Sequence, residues 1–86
     1  MPARPTLSVD DLLRVSRVRE LCSSGAAREI RENSRLSQRD IAAAVGIDPS
    51  QVHRIEVGTD TPTVGVALRL DAVFSALTAR HEDVAA

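Results

Sequence analysis

Apolar residues recur along this chain at three- and four-residue steps, and no stretch alternates with a period of two. Leu12, Val15, Val18 and Cys22 form the first stripe, joined by Leu21, with Arg14 and Arg17 on another face. Ser8 stands ahead of it as an N-cap, and Asp10 and Asp11 fall in the first turn, where the helix dipole favours acids. The pattern predicts a helix over 8–22, preceded by an irregular lead holding Pro2 and Pro5. Ser23, Ser24 and Gly25 mark a break. A second helix is expected from about Ala26 to Asn33, with Ala27 and Ile30 inward.

Local signals then become denser. Ser37 with Asp40 three residues on forms a carboxylate version of the capping box, bracketed by Leu36 and Ile41 as a hydrophobic staple. The device recurs ten residues later: Asp48 caps, Pro49 takes the first helical position, Gln51 closes the box, and Ile47 staples to Val52. Gly46 lies between them, where a left-handed residue ends the first of the two short helices. Gly58 is placed to stop the second. Thr59 to Pro62 reads as a turn-rich link, after which Thr63 caps a last helix carrying Val66, Leu70, Val73 and Leu77, widened by Leu68 and Phe74. Residues 81–86 read as a flexible acidic tail. The expected fold class is all-α, a single domain.

Counted from Gln38, Ala42 falls four residues on, Gly46 eight, Val52 fourteen and Ile55 seventeen. Two short helices crossing at a tight turn need this spacing. Ala42 must be small at the closest approach, Gly46 takes a positive φ, and Val52 and Ile55 lock the second helix while its other face stays free. Here the chain resembles the Xre/lambda-repressor-like helix-turn-helix family. The resemblance covers about 26–77 and rests on Leu36-Ser37-Gln38, Ala42, Val45-Gly46, Ile55-Glu56, Gly58 and Pro62. It implies a compact helix-turn-helix domain of that type, with 8–22 as an additional N-terminal helix.

The resemblance makes the helix 49–56 a reader of duplex DNA in the major groove, with Pro49, Ser50, Gln51, His53 and Arg54 as base-reading candidates. Arg54 suits guanine O6 and N7, whereas Ser50 discriminates less and Pro49 offers only apolar contact. Arg54 also has a plainer reading as a solvated surface cation. Gln51 is open to use in the cap, and His53 to meeting a phosphate or merely covering the helix. Phosphate contacts are expected from Gln38, Arg39, Arg35, Arg28, Thr59 and Thr61. In the family, Gln38 also braces the first residue of the reading helix, a role that Pro49 puts in question. Arg31 and Glu56 match positions that form a structural ion pair.

Composition adjusts this picture. The 86 residues hold 11 basic and 12 acidic side chains, a net −1 that at first sight speaks against nucleic acid. The charge is unevenly spread: residues 14–54 carry eight Arg against five acids, a net +3, and residues 55–86 carry two Arg against five acids, a net −3. The link after the reading helix has no basic residue and one acid, Asp60, so backbone grip should be weak and a dimer should compensate. Either the helix 8–22 or the last helix is available as an interface, or simply completes the core.

With one Cys and two His, no structural zinc is expected, and no cofactor or other metal. Cys22 reads as a small buried apolar residue. One Phe, without Trp or Tyr, gives no platform for stacking single-stranded bases. No apolar run approaches ~20 residues and the first residues lack a signal-peptide core, so the expectation is a cytoplasmic protein without membrane association. Neither a nucleophile–His–acid set nor a phosphate-cradling glycine loop is present, which argues against an enzyme. The leading expectation is a sequence-specific DNA-binding regulator, a repressor holding an operator as a homodimer in a bacterium or phage. The alternative is an antitoxin or adaptor that binds a protein partner through the helix 8–22 or the last helix.

Overall fold

The computed structural model describes residues 7–85, with side chains described through Glu82. Five helices follow one another: α1 (Val9–Ser24), α2 (Ala26–Asn33), α3 (Gln38–Val45), α4 (Pro49–Val57) and α5 (Val64–Ala85). No strand occurs among the described residues. The proline-bearing lead and Ala86 lie outside them.

α1 starts where the caps place it: the Ser8 hydroxyl accepts from the Asp11 amide at 2.9 Å. It ends two residues later than expected. The Ser23 and Ser24 hydroxyls donate back to the Glu20 and Leu21 carbonyls of their own helix (3.1 and 3.2 Å), so both serines are accommodated within it. Gly25 alone makes the break, at φ 86°, and is at once the C-cap of α1 and the N-cap of α2.

The core draws on every helix. Val15, Val18 and Cys22 of α1 meet Ala27 of α2, Ile41, Ala42 and Val45 of α3, Val52 and Ile55 of α4, and Val66, Ala67, Leu70 and Phe74 of α5. Leu12 departs from the expected stripe. It is 53% exposed, because the first turn of α1 overhangs the core and burial begins only at Val15. Ile30 of α2 is half-buried, and the position after it, Arg31, is the more buried of the two. On α5, Val73 and Leu77 are half-buried while Phe74 and Asp71 turn inward, a rotation of the buried face by about one residue.

Asp71 explains that rotation. It accepts from Arg14 Nε at 2.7 Å and from the Arg17 guanidinium, while Arg14 Nη2 reaches the Leu68 carbonyl at 3.0 Å. Arg19 donates to the Pro62 carbonyl at 3.1 Å. Burial would raise the Asp71 carboxyl, and the bonds from Arg17 and Arg14 lower it below the usual carboxylate range. The additional helix is therefore clamped onto α5 and supplies part of the core. Cys22 is buried within it, and burial together with nearby Glu56 pushes its thiol up to about 11. At neutral pH it is an apolar space-filler.

α5 continues past the boundary expected at 77. No glycine or proline interrupts the chain after Gly65, so the helix propagates through Ala85 and the segment 81–85 continues it rather than forming a separate tail. Thr63 precedes it, its hydroxyl accepting from the Val66 amide at 3.4 Å.

Candidate nucleic-acid interface

The turn between α3 and α4 is built by local chemistry. The Ser37 hydroxyl accepts from the Asp40 amide at 3.0 Å and the Asp40 carboxylate accepts from the Ser37 amide at 2.9 Å, a reciprocal capping box. Those bonds hold the Asp40 carboxyl below its ordinary range. α3 ends at Gly46, φ 76°, whose amide donates to the Ala42 carbonyl at 2.8 Å. Ala42, Val52 and Ile55 are all buried where the two helices cross.

The second cap differs from the expected box. Asp48 Oδ1 accepts from the Ser50 amide at 2.8 Å and from the Ser50 hydroxyl at 2.6 Å, one position earlier than Gln51. With the carboxylate satisfied there, Gln51 does not close a box. It lies half-buried at the edge of α4, its amide donating to the Asp48 carbonyl. The bonds from Ser50 also hold the Asp48 carboxyl low.

Pro49, Ser50, His53 and Arg54 form an exposed outer face on α4. Arg54 has a polar neighbour on each side. Its Nη1 donates to the Ser50 hydroxyl at 3.3 Å, its Nε lies 3.8 Å from Asp60 Oδ2, and the link folds back so that its carbonyl accepts from the Thr59 and Asp60 amides. Ser50 thus accepts from Arg54 and donates to Asp48. The Thr59 hydroxyl donates to the Arg54 carbonyl at 3.3 Å, whereas Thr61 is exposed on the link.

Behind this face, Arg31 and Glu56 form a bidentate pair at 2.6 and 3.0 Å, their side chains 11% and 6% exposed. Arg31 Nη1 also donates to the Leu36 carbonyl at 2.9 Å. Burial would raise the Glu56 carboxyl, but the bonds from Arg31 and Gln38 lower it. Gln38 Nε2 donates to Glu56 Oε1 at 2.9 Å and lies 3.4 Å from His53 Nδ1. It therefore braces the end of α4 rather than Pro49. Arg28 pairs with Glu32 on its own helix at 3.2 Å, while Arg35 and Arg39 are exposed and form no ion pair among the described residues.

A family model of the helix-turn-helix domain matches residues 25–84. The chain belongs to that helix-turn-helix family. The match is consistent with the lambda-repressor-like resemblance carried by Leu36 to Gly58, and it leaves α1 outside the family's extent. Among curated proteins and among solved structures, nothing matches this chain.

Two residues of the helix-turn-helix face escape a reading of the sequence. Val57 is 52% exposed and continues the row Pro49, His53, Val57 at four-residue steps, a spacing that was available to find it. Asp60 stands out in sequence only as an acid in a link that wanted a base. Its proximity to Arg54 emerges from the fold of the link. Among the described residues no group of His, Cys, Asp and Glu is arranged to hold a metal, and no helix is long and apolar enough to cross a membrane.

Proposed function

We propose that the protein is a sequence-specific regulator of transcription that lays α4 in the major groove and represses by occupying an operator. The observation that carries this reading is Arg54 on the exposed face of α4. Its guanidinium, bonded at Nη1 to Ser50 and with a carboxylate 3.8 Å from Nε, presents a planar fork suited to guanine O6 and N7. His53 and Pro49 lie beside it, and Val57 offers apolar contact to a thymine methyl. Gln51, half-buried, has the weakest claim as a reader.

Backbone contact falls to Arg39, Arg35 and Thr61, with Arg28, Thr59 and Gln38 Nε2 already engaged within the chain. So few phosphate contacts make a single domain a weak binder, and two half-sites about 34–36 Å apart restore affinity. The outer surface at the start of α1 supports a homodimer, since Val9, Leu12 and Leu13 are exposed there together. That patch also suits an unlike protein partner, as in an antitoxin or adaptor.

Selection of bound sites from random duplex DNA tests the reading. A palindromic winner, whose binding weakens as salt rises, is the expected result. No enrichment at low salt, together with a stoichiometric protein partner on purification, would replace it with the adaptor reading.

A further inference from the structure

Away from α4, the C-terminal ends of α2 and α5 meet at a cleft of about 190 Å³ lined by Asn33, Ser34, Arg35, Arg80 and His81. Ser34 Oγ lies 3.3 Å from His81 Nε2, which ties the two helix ends together. Among the described residues, no acidic side chain lines the cleft. Glu82, the neighbouring acid on α5, opens instead onto the groove beside Phe74 and Leu21.

Arg14, Arg17, Arg28, Arg31 and Arg54 each face a carboxylate, whereas Arg35 and Arg80, like Arg19, Arg39 and Arg69, form no ion pair among the described residues. Arg35 moreover occupies a left-handed conformation, φ 58°, where glycine is the unstrained choice. Arg35 and Arg80 both line the cleft. With two guanidiniums, an imidazole, a hydroxyl and an amide, the cleft is equipped to receive an anion with several acceptor oxygens. Arg35 lies three residues before Gln38, so the cleft adjoins the end of the helix-turn-helix that would meet the DNA backbone.

We infer that this cleft seats a backbone phosphate of the bound duplex, extending the interface from α3 and α4 to the far end of α5. The inference rests on the DNA-binding reading above. Its test is the salt dependence of duplex binding for the full chain, Arg80→Ala and Arg35→Gly, the latter keeping the left-handed backbone. Each lost phosphate contact should reduce the slope of log K against log salt by about 0.9. The expected result is severalfold weaker binding at low salt, convergence with the parent at high salt, and an unchanged preferred site. Arg80→Lys should retain most of the slope. Parent-like slope and affinity in Arg80→Ala would overturn the cleft while leaving the DNA reading intact, whatever Arg35→Gly does. A parent chain that binds no duplex would overturn both.

Discussion

Arg54 already has polar partners on the surface of α4, and under the proposed function these shape what its neighbours do. Ser50 bonds the guanidinium and Asp60 lies 3.8 Å from it, and in the proposed complex Asp60 would bring a negative charge towards the phosphates. Arg54→Ala should therefore remove about 1–3 kcal/mol of discrimination at one base pair, read by competition between operator variants. Asp60→Asn should tighten binding to every duplex severalfold and narrow the gap between operator and random DNA, measured by anisotropy titration. Unchanged affinity would show that Asp60 lies clear of the backbone. Glu56 works differently, since it is buried against Arg31 and Gln38. Glu56→Ala should cost about 3–5 kcal/mol in denaturant unfolding, because it strands the Arg31 charge. The Glu56 carboxyl is lower in the folded than in the unfolded chain, so its stabilisation is present above roughly pH 4 and lost as pH falls through the folded value. The milder Glu56→Gln should accordingly flatten the acid limb of the stability profile.

At the scale of the helices, ends were more legible than faces. Ser8, Ser37, Asp48, Gly46 and Gly58 announce their positions because a cap is satisfied by residues within a few places in sequence. Where the sequence misled, the competing effect was also local. Asp48 took its bonds from Ser50 instead of awaiting Gln51, and two serines bonded back into α1. Gly46 offers a clean measurement of turn geometry: a Cβ there meets no atom within 4 Å, so only its backbone conformation resists substitution. Gly46→Ala should cost about 1–2 kcal/mol, visible as a lower denaturation midpoint with an unchanged slope. A much larger loss would point to displacement of α4 rather than to strain at one residue.

For the whole molecule, the place of α1 could not be read from periodicity. Its stripe fits a dimer interface as well as a core, and the clamp on α5 joins Arg14 to an aspartate 57 residues away. The same distance hides Asp71 inside what reads as a plain apolar helix. Because α1 contributes Val15, Val18 and Cys22 to the core, a chain of residues 25–86 should fail to fold cooperatively although it contains the full family match. Circular dichroism through a thermal melt would decide this, and a sharp transition near that of the full chain would show α1 to be dispensable. The position of Asp60 has a consequence on a longer timescale. Codons for aspartate and asparagine differ by a single nucleotide, so one transition in the gene would release Arg54 from its carboxylate. Under the proposed function, operator strength would then drift in a lineage without any change in α4, letting a promoter and its regulator be retuned before they need to co-evolve.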